Sequence, residues 1–206
     1  MFGFDSDMIF RIPALLIALT IHEYAHARVA VAFGDPTPRI LGRLTLNPLA
    51  HLDPLGLIML WIFRFGWAKP VPVNPNNFTN HKNGMIGVSL AGPFANILVA
   101  FTVAILFAVL VKLDLLNNFT AKILSFTYMY NVVFAIFNLI PLPPLDGSKV
   151  LMAVLPGRQS DWLERIEPYA PFILMGLIYI GAIGVIINPL ERGLSFIIQG
   201  IVSILI

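Results

Sequence analysis

Apolar residues fall into five blocks and a short tail, and block length decides what each can be. A helix rises about 1.5 Å per residue, so about 20 apolar residues cross a hydrocarbon core about 30 Å thick. Residues 8–33 and 85–111 reach that length and predict spanning helices. Residues 55–67 are too few to span and carry Arg64, which predicts an interfacial or re-entrant piece. The block 123–155 is long enough but is interrupted by Pro141, Pro143 and Pro144, and 171–187 is only just long enough. The tail 194–206 is apolar and short, which fits a segment lying along the interface.

The stretch 34–84 between the first two spans is rich in Pro, Gly and Asn. Asp35-Pro36, Asn47-Pro48, Asp53-Pro54, Lys69-Pro70 and Asn74-Pro75 are turn signals. A loop this long has a function or is ordered by packing, and 39–47 and 71–74 are candidate short β-strands. Gly87, Ala91 and Ala95 place a small residue at every fourth position of the second span, where another helix can approach closely. No internal repeat or linker appears. The pattern predicts an all-α membrane protein with about four transmembrane helices. Three of them (8–33, 85–111 and 123–155) form the core, and 34–84 is a long cytoplasmic loop. Residues 1–206 read as one integral-membrane domain, with a core over about 8–155 and an accessory helix and tail at 168–206.

Composition agrees. Of 206 residues, 58% are hydrophobic and 12% charged, against about a quarter charged in a soluble domain. The net charge of +2 is spread over short loops, which excludes a nucleic-acid footprint. There is no cysteine, so disulfides, thiolate catalysis and thiolate metal sites are excluded. Residues 1–7 carry Asp5 and Asp7 and no basic residue, so the first block reads as a retained helix rather than a cleaved signal. Arg39, Arg43, Arg64, Lys69 and Lys82 favour a cytoplasmic 34–84 loop, with the N-terminus outside.

Against that background four residues stand out: His22, Glu23 and His26 inside the first block, and Asp146 in the proline break. An ionisable residue at a helix centre in a membrane costs about 2.5–3.5 kcal/mol, so it usually faces the protein interior and serves a function. His22 and His26, at i and i+4, share one helix face and can reach one ion, with Glu23 between them placed to take a proton from a water activated there. Counting from the cytoplasmic exits puts the histidines roughly 12–18 Å deep and Asp146 about 15 Å deep. All four can therefore share one level. The bland alternatives are a buried polar network joining helices and, for Asp146, an N-cap on a helix over 148–155. His51 and His81 lie in loops and read as solvated or structural.

The run His22-Glu23-Tyr24-Ala25-His26, with Asn138-Leu139-Ile140-Pro141-Leu142-Pro143-Pro144-Leu145-Asp146-Gly147 downstream, resembles the site-2 protease family of intramembrane zinc metalloproteases. So do Gly34-Asp35-Pro36-Thr37-Pro38, Gly42-Arg43-Leu44-Thr45-Leu46-Asn47-Pro48, His51-Leu52-Asp53-Pro54, Gly66-Trp67-Ala68-Lys69-Pro70-Val71-Pro72-Val73-Asn74 and Ala91-Gly92-Pro93-Phe94-Ala95-Asn96. The likeness covers about 18–155 and points to the family's compact prokaryotic branch, without PDZ or CBS domains. It implies one Zn2+ per chain held by His22, His26 and Asp146, Glu23 as general base, and Asn138 on the substrate or developing oxyanion. Asn96 is then either a second clamp on substrate or an interhelical hydrogen bond. Ser148 stands where many members carry a second glycine, which leaves the ligand set untouched. The implied partners are a transmembrane protein substrate and the lipid bilayer, with room for a homo-oligomer. The implied place is a prokaryotic cell membrane with the active site toward the cytoplasm. A non-cutting scaffold and an ion transporter are the competing classes. The complete set of turnover residues argues against the first, and the absence of inverted repeats against the second.

Overall fold

The computed structural model describes residues 7–56, 68–156, 162–163 and 165–206. Its main helices are α1 (Met8–Ala32), α2 (His81–Lys112), α3 (Asn118–Leu139), α4 (Asp146–Val154), α5 (Ala170–Tyr179) and α6 (Ala182–Leu205). Of these, α1, α2, α3 and α6 are long and apolar enough to cross a membrane. Asp7 Oδ1 accepts from Lys122 Nζ at 2.6 Å, which brings the starts of α1 and α3 together. At the far end of α2, Lys112 Nζ donates to the Ile206 carbonyl oxygen beyond α6. So α1 and α3 run one way, and α2 and α6 the other.

The core is the mutual packing of α1, α2 and α3. Ala14, Ala18, Ala27 and Ala30 on α1 are exposed by 1% or less, while Ile9, Ile12 and Ile17 point outward. Small residues let helix backbones approach where lipid removes the usual hydrophobic drive. On α2 the buried stripe is Gly84, Val88, Gly92, Asn96 and Ala100. That is one position on from the predicted Gly87, Ala91 and Ala95, which are only partly buried. The register is set by polar Asn96, which must face the interior while Phe94 and Leu98 face outward.

Asparagines start two of these helices. Asn80 Oδ1 accepts from Asn83 N–H at 3.0 Å and Asn117 Oδ1 from Thr120 N–H at 2.9 Å. His81 is thus the exposed first residue of α2 rather than a loop residue. At the other end of α3, Ile140 precedes Pro141 and turns extended (φ −61°, ψ 129°), as the residue before proline prefers. The chain then passes the cis Pro143–Pro144 bond and enters α4. A Cβ on Gly147 would overlap the carbonyl oxygens of Leu139 and Ile140. Only glycine lets α4 fold back this closely on the end of α3, and that contact sets Asp146.

Two expectations change, and a third lies outside the described residues. Among the described residues there is no strand, only an isolated Leu52–Ala68 bridge. Residues 37–40 form a helical turn, and in 71–74 the Val71 and Asn74 N–H groups are taken by the Glu23 and Asp35 carboxylates. Pro72 has no N–H, which removes a further ladder donor there. The expected re-entrant piece falls on residues that, from 57 to 67, lie outside the described set. The fourth span is not 171–187. The chain breaks at Gly181 (φ +77°), and α6 carries on through Pro189 to Leu205. Asn188, Arg192, Ser195 and Gln199 recur at helical spacing, so a polar stripe along one helix interrupts the linear hydropathy and looks like a gap between two short blocks.

Candidate metal centre

α1 brings His22 and His26 onto the face that packs against α2, and the α3–α4 junction brings Asp146 to them. His22 Nε2 lies 3.1 Å from Asp146 Oδ2, His26 Nε2 lies 3.1 Å from the same oxygen, and the two Nε2 atoms are 2.9 Å apart. The three residues are 4%, 7% and 6% exposed. Asp146 is the first residue of α4, and the cap position is held by Leu145, which has no capping side chain. The N-cap alternative is therefore set aside. Lys149 Nζ stands 3.8 Å from the other oxygen, Asp146 Oδ1.

The far sides of both rings are fixed. His26 Nδ1–H donates to the Val88 carbonyl at 2.7 Å, and His22 Nδ1–H donates to Asn96 Oδ1 at 2.7 Å. With Nδ1 protonated, each neutral ring turns its Nε2 lone pair toward Asp146. The centre is then three buried acceptors facing one another, a set that fits a divalent cation bound by imidazole and carboxylate. Gly92 leaves the space. A Cβ there would sit 2.6 Å from both Nε2 atoms.

Glu23 is 9% exposed, and its Oε2 accepts the Val71 N–H at 2.9 Å. The segment carrying Val71 is held in turn by Arg43, which donates to the carbonyls of Lys69 (2.6 Å) and Pro70 (3.2 Å) and faces His51 Nδ1 at 3.4 Å. His51 is fully buried and donates through Nε2 to the Thr45 carbonyl, a structural position. Asn138 is partly buried, and its Nδ2 donates to the Phe134 carbonyl one turn back, so in this structure it makes no bond to the centre. Asn96 is fully buried. Its Nδ2 donates to the Ala18 carbonyl and to Asn131 Oδ1, and of its two expected uses the interhelical hydrogen bond is the one seen.

Sequence reasoning missed Asn131, Thr127, Val71 and the supporting role of Gly92. For Asn131 a signal existed, since an asparagine amid an apolar span needs a partner. Nothing in the linear sequence named Asn96 as that partner.

Residues 110–180 match the model of the family described as Peptidase family M50. The Bacillus subtilis (strain 168) protein named "Putative zinc metalloprotease YwhC" is 36% identical over 184 residues, 87% of this chain and 84% of that protein. The Mycobacterium tuberculosis (strain ATCC 25618 / H37Rv) protein named "Putative zinc metalloprotease Rip2" is 31% identical over 173 residues, 81% of this chain and 64% of that protein. No solved structure gives a significant match. With identity at that level along nearly the whole of a relative of similar length, the chain belongs to peptidase family M50, the site-2 protease family.

Proposed function

We propose that this chain is an intramembrane zinc metalloendopeptidase of the HExxH type. It hydrolyses peptide bonds within or near transmembrane helices of membrane-protein substrates, as in regulated intramembrane proteolysis. One observation carries the reading: three buried acceptors from α1 and α4 converge within 3.1 Å while both ring Nδ1 atoms are tied elsewhere. The names of the bacterial relatives favour zinc as the ion. His22, His26 and Asp146 hold it, one per chain. Residues 1–206 act as one membrane-embedded domain with its core at about 8–155, and the 168–206 region is accessory.

Bound zinc supplies a Lewis acid for the scissile carbonyl and lowers the pKa of water to about 7. Glu23 accepts the proton of the attacking water and delivers it to the leaving amine, with Val71 N–H orienting its carboxylate. Asn138 is assigned to the developing oxyanion. Its Nδ2 gives one hydrogen to the Phe134 carbonyl, which leaves the second for that role. The basic residues of the 34–84 loop orient the site toward the cytoplasmic side of a prokaryotic cell membrane. The experiment is cleavage of a single-span substrate in liposomes by the intact protein and by Glu23→Gln. Loss of a general base lowers the rate by about 10²–10⁴. Equal cleavage by the two proteins sinks the mechanism.

A further inference from the structure

We infer that Asn131, on α3, is a positioning residue for the metal centre and acts through Asn96 to fix the His22 ring. The inference rests on the ligand assignment just proposed. Asn131 and Asn96 are both fully buried, and neither amide is free to turn. Asn131 Nδ2 donates to the Thr127 carbonyl at 2.8 Å, which leaves its Oδ1 facing Asn96. Asn96 Nδ2 donates to that Oδ1 at 2.8 Å and to the Ala18 carbonyl at 2.9 Å, which uses both of its hydrogens. Only Asn96 Oδ1 remains, and it accepts from His22 Nδ1–H.

The four groups form a chain of hydrogen bonds that all point the same way, from the imidazole to a helix backbone. A backbone carbonyl anchors each amide, so the direction cannot reverse. Were Asn96 to flip, its NH2 would face His22 Nδ1 and favour the tautomer protonated at Nε2, which cannot ligate. Hydrogen bonds in series also polarise one another. His26, by contrast, is oriented by a backbone carbonyl that no side-chain change removes. His22 is thus the ligand whose tautomer a side chain controls, and α3 holds the control.

Interhelical bonding alone would also use two asparagines, so the test must separate the two roles. Full-length protein in detergent is stripped of metal, and zinc affinity is read by competition with a chromophoric chelator. The unfolding temperature of the stripped protein is recorded beside it. Asn131→Leu keeps the shape and removes the acceptor. Asn131→Asp keeps an oxygen toward Asn96 in either protonation state. Loss of an outer-shell partner costs about 10–100-fold in metal affinity. We expect Asn131→Leu to weaken zinc about tenfold and Asn131→Asp to stay well inside that range. A packing role predicts the reverse order, with the buried acid the worse. Equal affinities for wild type and Asn131→Leu overturn the inference, as does an Asp variant as weak as the Leu variant.

If Asn131→Leu does not fold, the cycle of Asn96→Ala, Asn131→Ala and their double decides. A relay predicts a double variant no weaker than Asn96→Ala alone, and additive losses overturn it. His22→Ala separates the premises. If it binds zinc as wild type does, the ligand assignment itself fails. If it loses zinc while Asn131→Leu binds normally, the relay alone fails.

Discussion

Among the described residues, one buried polar cluster lies in the loop between α1 and α2 and another inside the helix bundle, and they are built on opposite rules. In the loop, acceptors meet donors. The fully buried Asp35 carboxylate accepts Thr37 N–H (3.1 Å), Thr37 Oγ1–H (2.6 Å), Asn74 N–H (2.7 Å) and Asn77 Nδ2–H (2.8 Å). Arg43 and His51 hold loop carbonyls in the same way, with Arg43 Nε left over. In the bundle the acceptors face each other and their donors are turned away, toward Val88 and Asn96. Burying polar groups is costly unless they are paired. Apart from Arg43 Nε, the loop cluster is complete as protein and so gives the chain a shape. On the proposed reading a divalent cation completes the bundle cluster, which then gives the chain a chemistry.

The sharpest way to break that contrast is Gly92→Ala. The added Cβ would press on the Nε2 atoms of both proposed ligands, His22 and His26, so zinc per chain should fall to near zero. Overpacking itself should cost only about 1–3 kcal/mol in unfolding experiments, and the loop cluster should be untouched. Zinc retained at one per chain would show that the helices yield and that the cradle is not tight. Asp35→Ala is the mirror experiment. It leaves four part-buried donors on Thr37, Asn74 and Asn77 without their acceptor, each costing less than the 1–3 kcal/mol, roughly, of a fully buried orphan. The net loss should be about 3 kcal/mol of stability, with zinc stoichiometry unchanged. A loss of zinc without a loss of stability would merge the two clusters into one.

How far the sequence reaches differs between the two regions for a physical reason. Helical spacing is local, so His22 and His26 could be placed on one face, and rise per residue could bring Asp146 to their level. The structure brings these three together. What could not be read are contacts that exist only after the helices pack. Asn131 meets Asn96 across 35 positions, and Val71 meets Glu23 across 48. The loop looked extended enough for strands because strand propensity ignores which groups will claim the N–H donors. Two carboxylates claim them here. The small-residue stripe of α2 was legible in period but not in register, since Gly84, Gly87, Ala91, Gly92 and Ala95 offer two overlapping faces. The polar residue Asn96 decides between them.

The smallest expected effect is in pH, and it isolates the charge of the loop cluster. Burial pushes the Asp35 carboxyl upward more than any other single influence, but the hydrogen bonds from Thr37, Asn77 and Asn74 together outweigh it and hold its pKa below the ordinary 3.8. No charged side chain is needed for this, because donors around a carboxylate favour its ionised form. The sign follows from proton counting. Between the folded value and 3.8 the unfolded chain carries the extra proton, so stability rises with pH there and is lost as pH falls through the folded value. Above 3.8 the contribution is complete and flat. Asp35→Asn removes the titration and also places an NH2 among donors. It should therefore be less stable at neutral pH, yet lose less on going down the acid limb. The other aspartates, Asp146 included, are common to both proteins, so the difference between their unfolding curves from pH 6 to pH 2, roughly the window in which carboxylates titrate, belongs to Asp35. Parallel acid limbs would mean that the cluster holds its shape through hydrogen-bond geometry and not through the charge, and that the loop's rule is pairing alone.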